Sequence, residues 1–260
     1  MDVITAITSN WTHYLSKFHW SYLQSMPDDP LHLVVVTQEG DPPQWLNRIR
    51  DVALGRGFAS VKFTPYVNMT GRLVYYDWLR SGLCALCELS EFLYIDADVD
   101  ILRPLSYIPE LDANADLFLA PDTMPNRFQK AVAKQYGLPK GLFAGMMYCR
   151  RSFSLEFNDV YRSAPLEFGK DIAPGQTVWN HIAGKYGAHF LSYKDHMNWY
   201  DEGIQWTNSL HFAGKLKHHF LCTKYEVRAQ DQTIIIGTEP VVPDYFKEGY
   251  NGESVEADRP

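Results

Sequence analysis

Leu93-Tyr94-Ile95-Asp96-Ala97-Asp98-Val99-Asp100 is the stretch that decides the reading of this chain. A short apolar run over Phe92–Ile95 has the composition of a buried strand and stops abruptly in acids. In open α/β sheets ligands bind in the crevice outside the carboxyl ends of the strands. Carboxylates two residues apart in an extended segment project to the same side, so Asp96 and Asp98 are expected on one side of the strand end. Two hard oxygen ligands with positions left open for phosphate oxygens suit Mg²⁺ or Mn²⁺. An acidic turn after an edge strand would produce the same letters, and DxD alone does not separate the two.

Outward from this point, β-branched runs alternate with amphipathic stretches, the pattern of an α/β layered fold. Val3–Ile7 reads as a strand, followed by a polar break at Thr8-Ser9-Asn10 and a helical stretch over Trp11–Leu23. Leu31–Thr37 reads as a second buried strand, and the helical period returns from Leu73 to Leu89. Leu73, Tyr76, Leu83 and Cys87 share one stripe of that helix, and Arg80 falls among them. An arginine on an apolar face points at an anion, snorkels or forms a salt bridge. Leu117–Ala120 and Leu142–Tyr148 read as strands, as do the shorter His189–Ser192, Leu210–Phe212 and Thr233–Ile236. Asn126 is placed to cap a helix over Arg127–Tyr136 closed by Gly137, and Pro174 to open one running to Tyr186 and stopped by Gly187. The expected division is one domain over 1–236 and a proline-rich acidic tail over 237–260.

The chain has 260 residues, 46% of them hydrophobic and 21% charged, which is ordinary globular composition and argues against disorder. A net charge of −7 gives no global footprint for a nucleic-acid binder. No apolar run approaches the roughly 18 residues of a membrane helix, and Met1-Asp2-Val3-Ile4 lacks the basic start of a secretory signal. A cytoplasmic location without a membrane span is the expectation. Cys84 and Cys87 form a CxxC inside an apolar helical stretch with no second close pair, so they read as buried small side chains and not as a zinc site.

Two motifs together bring a family resemblance. Tyr94-Ile95-Asp96-Ala97-Asp98 resembles the metal-binding YLDAD of nucleotide-sugar glycosyltransferases of the GT-A fold, specifically the glycogenin-like and bacterial galactosyltransferase-like family 8. His211-Phe212-Ala213-Gly214-Lys215-Leu216-Lys217 resembles that family's HxxGxxK. The resemblance, spanning roughly residues 3–220, implies a Rossmann-like mixed sheet flanked by helices. It implies Mn²⁺ (or Mg²⁺) held by Asp96, Asp98 and His211, with Gly214 and Lys217 embracing the diphosphate of a donor, a UDP-sugar first among them. Histidine with carboxylates suits Mn²⁺, glycine permits close backbone approach, and lysine neutralises charge developing on the leaving phosphate. The segment 215–228, rich in lysine and histidine, is the most cationic of the chain.

Weaker matches fall in the same order as in the family. Thr8-Ser9-Asn10-Trp11 resembles the loop that holds the nucleotide base, with Trp11 as the stacking aromatic and Thr8 where an aspartate is often found. Arg80 resembles the arginine that reaches the donor, Ala97 lies within the acidic motif, and Phe143-Ala144-Gly145 resembles the small-residue strand that passes the sugar. Pro174-Gly175-Gln176-Thr177-Val178-Trp179-Asn180 resembles the DQDxxN helix start, but Gly175 and Thr177 replace both flanking aspartates. Gln176 and Lys217 are the implied catalytic residues, acting on the donor sugar and the leaving group in a transfer with retention at the anomeric carbon. The acceptor is open among a glycan, a protein, a small alcohol and a modified DNA base.

Two other readings share the acidic motif. A non-catalytic sugar-nucleotide-binding protein of the same fold would tolerate loss of the aspartates beside Gln176. A phosphatase of the haloacid-dehalogenase type also carries a strand ending in DxD, but near its N-terminus and followed by a different pattern.

Overall fold

The structure, a computed structural model, describes residues 1–67, 74–122, 125–139, 142–164, 170–171, 173–198, 207–213, 220–221, 223–227, 234–238 and 244–246. Its first half alternates strictly: Val3–Thr8 (β1), Thr12–Ser25 (α1), Leu31–Thr37 (β2), Pro43–Gly55 (α2), Ser60–Pro65 (β3), Val74–Leu86 (α3) and Phe92–Ile95 (β4). Then come Val99–Ile101 (β5), Leu117–Pro121 (β6), Arg127–Tyr136 (α4), Leu142–Cys149 (β7), Ser154–Ser163 (α5), Pro174–Tyr186 (α6) and His189–Phe190 (β8). Met197–Asn198 (β9), Ser209–His211 (β10), Thr223–Val227 (β11) and Ile234–Thr238 (β12) follow.

Seven strands form one sheet in the order β3-β2-β1-β4-β7-β6-β8. β3, β2, β1 and β4 run parallel, while β7 runs antiparallel to both β4 and β6. Period-two alternation explains how both faces are covered. Leu93 and Ile95 of β4 face a core shared with Phe18, Tyr22, Leu33 and Phe246, whereas Phe92 and Tyr94 face one shared with Leu83, Phe157 and Trp179. All four β4 side chains are essentially fully buried, each aliphatic or aromatic one worth roughly 1.5–3 kcal/mol.

The capping signals produce their helices. Asn126 Oδ1 accepts from the backbone N–H groups of Phe128 and Gln129 at 2.8 and 3.0 Å, and Gln129 Oε1 accepts from Asn126 N–H at 2.6 Å. Gly137 closes α4 at φ +67° and Gly187 closes α6 at φ +85°, conformations that favour glycine.

Several elements depart from the sequence expectation. α2 and β3 were not expected. Pro43 sits in the first turn of α2, where its missing N–H is harmless, and only Ile49 and Ala53 of this helix are buried, so its apolar signal is weak. β3 is the sheet edge, half-buried along its length. α5 and β5 were also not expected, and the strand expected over Thr233–Ile236 runs Ile234–Thr238 and pairs with β11. The 236/237 boundary thus falls inside β12. Further along, Phe246 is fully buried in the core, Arg48 Nε donates to its carbonyl at 2.9 Å, and His19 bonds the Tyr245 hydroxyl at 2.8 Å. These pieces of the stretch expected as a tail pack on the domain. The three described cysteines, Cys84, Cys87 and Cys149, are buried and free. No helix among the described residues is long and apolar enough to cross a membrane.

A buried ion pair ties α1 to β5. Lys17 Nζ lies 2.8 Å from Asp100 Oδ2, with both side chains at most 3% exposed, and also donates to the Phe220 carbonyl at 2.5 Å. Breaking a buried pair by removing one partner strands the other charge, at a cost of about 3–5 kcal/mol. Lys17→Met should therefore lower the urea-unfolding free energy by that amount. The double variant Lys17→Met with Asp100→Leu should recover most of it.

Candidate functional site

β4 ends at Ile95, and the chain does not continue extended through the acids as the two-residue spacing suggested. Asp96 to Val99 form a turn, with Val99 N–H donating to the Asp96 carbonyl at 3.2 Å, before β5 begins. The turn brings Asp96 and Asp98 together in place of strand alternation. β10 then pairs antiparallel with β5 in the register His211↔Val99 and Leu210↔Asp100. Phe212 N–H donates to the Asp98 carbonyl at 3.0 Å, extending the ladder by one bond. His211 Nε2 consequently lies 3.3 Å from Asp98 Oδ1 and 4.0 Å from Asp96 Oδ2.

One ligand atom from each of Asp96, Asp98 and His211 lies within 4.8 Å of the others. Asp98 and His211 are buried and Asp96 is half-buried. Two carboxylate oxygens and one imidazole nitrogen form a donor set that fits Mn²⁺, and through its oxygens Mg²⁺. His196 lies beside His211, the ring centroids 5.7 Å apart and the planes tilted by 35°, with its Nδ1 bonded to Ser209 Oγ at 2.9 Å. Burial, and secondarily His211, hold the His196 imidazole neutral, well below its ordinary range.

The acids border a cleft of about 870 Å³ at the carboxyl ends of β1, β2 and β4, within the size range of ligand pockets. Its lining includes Thr8 at the end of β1, Asn10 and Trp11 beyond it, Arg80 on α3, and Asp96, Ala97 and Asp98 after β4, so the structure brings these expected residues together. Trp11 is 41% exposed at the start of α1, with Tyr14 at 5.5 Å ring to ring. A partly exposed indole on a cleft wall is a ready stacking surface.

Arg80 stands between two carboxylates. Its Nη2 donates to Asp96 Oδ1 at 2.6 Å and its Nη1 to Asp77 Oδ1 at 3.1 Å, and it lies 5.0 Å from the Tyr94 ring centre. The Tyr94 hydroxyl donates to Asp96 Oδ1 as well. Burial disfavours the Arg80 charge, but Asp96, Tyr94 and Asp77 together keep it firmly protonated. Burial pushes the Asp77 carboxyl up to about 6 against the pull of Arg80. Asp77, Gln38, Glu39, Tyr66 and Tyr76 line the cleft without having been expected there. For Asp77 a signal existed: it lies three residues before Arg80, on the same helix face.

Gly145 and Ala144 lie on β7, where the register with β6 shifts: Leu119 pairs with Met147 but Ala120 with Phe143. This irregularity presents the Gly145 carbonyl to Asp96 N–H at 2.8 Å, fixing the start of the acidic turn. Gln176 sits in the first turn of α6 but caps nothing. Its Oε1 accepts from Gln129 Nε2 at 2.7 Å, and that nitrogen also donates to Asp122 Oδ2 at 3.1 Å. Gln176 is not among the residues lining the cleft described above. Gly214 and Lys217 lie outside the described residues.

No family model matches the sequence, and no curated protein is significantly similar to it. Solved structures do match in fold. The chain is similar to the galactosyltransferase LgtC in complex with donor and acceptor sugar analogs, at a TM-score of 0.60 and 16% identity, over 83% of this chain and 88% of that one. It is similar to the bifunctional glycosyltransferase WbbM at a TM-score of 0.61 and 12% identity, covering 83% of this chain but only 46% of that one. The third is mouse xyloside xylosyltransferase 1, at a TM-score of 0.51 and 12% identity, over 81% of this chain and 97% of that one. The mixed sheet flanked by helices is therefore the fold of the GT-A glycosyltransferases.

Proposed function

We propose that this protein is a metal-dependent glycosyltransferase that moves a sugar from a nucleoside-diphosphate donor to an acceptor hydroxyl. The observation that carries the reading is the convergence of Asp96, Asp98 and His211, the two carboxylates lining a cleft at the strand carboxyl ends of this fold. The alternatives of a non-catalytic binder and a haloacid-dehalogenase-type phosphatase gain no support from the fold or its likenesses.

In this reading Asp96, Asp98 and His211 hold Mn²⁺ or Mg²⁺, which supplies positive charge to the donor diphosphate. Trp11 stacks on the base, a uracil in the reading adopted here, while Thr8 and Asn10 bond its polar edge. Ala97 leaves room beside the nucleoside, and the backbone of Ala144 and Gly145 borders the sugar. Arg80 keeps its charge at all working pH values and orients Asp96, or reaches the donor itself. Lys217, six residues beyond His211 in the sequence, neutralises charge on the departing diphosphate, with Gly214 allowing close approach of the chain. No carboxylate is needed as a nucleophile. The sugar–phosphate bond breaks, the acceptor oxygen attacks from the same face, and its proton passes to the leaving phosphate oxygen. That route gives retention. Gln176, bonded to Gln129 at the start of α6, would steady the donor sugar with its amide after leaving that bond.

A screen of UDP-, GDP- and dTDP-sugars for nucleotide release tests the reading. Release should require Mn²⁺ or Mg²⁺, stop in EDTA, and resume on adding the metal. Asp98→Ala should remove it while leaving the thermal melt in place, and full activity in chelator would contradict the assignment. Lys217→Ala should depress turnover by about 10- to 1000-fold, the scale for losing one charge-stabilising group, and weaken nucleoside diphosphate binding in calorimetry. Unchanged kinetics would leave the basic stretch a plain surface. Gln176→Ala should cut transfer while nucleoside diphosphate affinity stays within about twofold. Loss of melting temperature with activity per folded molecule preserved would assign Gln176 to the Gln129 network alone.

A further inference from the structure

We infer that α1 positions the candidate metal site: Lys17, Ser21 and Ser25 form one polar stripe that grips β5 and so sets where Asp98 and His211 stand against Asp96. The inference rests on the metal-dependent reading above. Positions 17, 21 and 25 are four residues apart, so they share one face of α1. All three side chains are buried, and polar groups there cost free energy unless each finds a partner. Each finds one on β5. Lys17 Nζ lies 2.8 Å from Asp100 Oδ2, Ser21 Oγ accepts from the Ile101 backbone N–H at 3.3 Å, and Ser25 Oγ donates to the Ile101 carbonyl at 2.7 Å. β5 is an edge strand of its three-stranded sheet, with β10 its one strand neighbour among the described residues. Along the other edge α1 stands in for a strand.

The stripe also reaches the strand that carries the histidine. The Lys17 ammonium lies 5.8 Å from the ring centre of Phe212, the residue after His211, and 4.6 Å from that of Phe220. One charge therefore faces both Asp100, two residues beyond Asp98, and the chain neighbour of His211. The site needs such a brace. Asp96 follows β4 of the large sheet, whereas Asp98 leads into β5 and His211 lies on β10 of the small one. β5 has only three residues and joins β4 through a turn, so the spacing of the three ligands depends on how the small sheet docks on the large one. α1 spans both: Leu15 and Phe18 share one core with Ile7 of β1 and with Val99 and Ile101 of β5. Apolar packing is non-directional and would let so short a strand slide. Hydrogen bonds from three successive turns of the helix fix its place, because they weaken steeply with angle and distance.

The test is an electron paramagnetic resonance titration of the full chain with Mn²⁺, alone and with UDP present, paired with urea unfolding. The double variant Lys17→Met with Asp100→Leu removes both buried charges together and is expected to unfold near the wild-type urea concentration. Its Mn²⁺ affinity should nevertheless fall about 10- to 100-fold, the scale for losing groups that orient metal ligands without touching the metal. Ser21→Ala with Ser25→Ala strands no charge and should weaken Mn²⁺ about 10-fold, the lower end of that scale. If the first variant does not fold, the serine pair decides by the same criterion. A stably folded variant that binds Mn²⁺ as the wild type does would make the stripe a packing feature alone and overturn the inference. So would a loss of affinity found only in variants that are also less stable. A wild-type chain that takes up no Mn²⁺ in either titration would overturn the metal-dependent reading itself, and the inference with it.

Discussion

Everything chemical in this structure hangs on a three-residue strand pairing. β5 and β10 meet in one register, His211 opposite Val99, and that register alone puts the imidazole against Asp98. Because side chains alternate along a strand, a slip of one residue would turn His211 to the opposite side. Three constraints hold the register. Phe212 N–H bonds the Asp98 carbonyl, Lys17 of α1 anchors Asp100 of β5 from beneath, and β9 flanks β10 with Asn198 opposite His211. The main sheet contributes Asp96 through β4, and the small sheet contributes the rest. The candidate metal site lies at their junction.

Charge is organised along the cleft as an alternating row: Asp98 and Asp96, then Arg80, then Asp77. Among side chains this buried, such a row is stable only if each member is satisfied by its neighbour. Tyr94 adds a hydroxyl at Asp96 and an aromatic face at Arg80, which is why a strand residue aimed into the α3-side core carries a polar tip. The Asp77 carboxylate leaves no room for a side chain at 175, so the glycine there and the acid on α3 are two halves of one packing solution.

Local chemistry makes part of this legible in the sequence. The strand-to-acid transition at Ile95–Asp96 shows itself by composition, and α4 and α6 by Asn126, Pro174, Gly137 and Gly187, since caps are encoded within a few residues. α2 is hidden because its two buried residues carry little periodic signal, and β3 because an edge strand need not alternate. β5 has three residues and owes its identity to a partner more than a hundred positions away. The two-residue spacing put Asp96 and Asp98 on one side, although a turn and not an extended strand brings them together, and His211 as their partner is readable only through the family resemblance. Asp77 facing Gly175 is a steric relation between two helices distant in sequence, and no local pattern records it.

The central claim is that Asp96, Asp98 and His211 form one metal site serving a nucleotide. Crystals of the full chain grown with Mn²⁺ and UDP, with data collected at the manganese absorption edge, test it most directly. The account predicts one anomalous peak bounded by the two carboxylates and His211 Nε2, with diphosphate density beside it and the base against Trp11. Diphosphate bound in the cleft with no manganese at these three side chains, or manganese bound elsewhere, would contradict it.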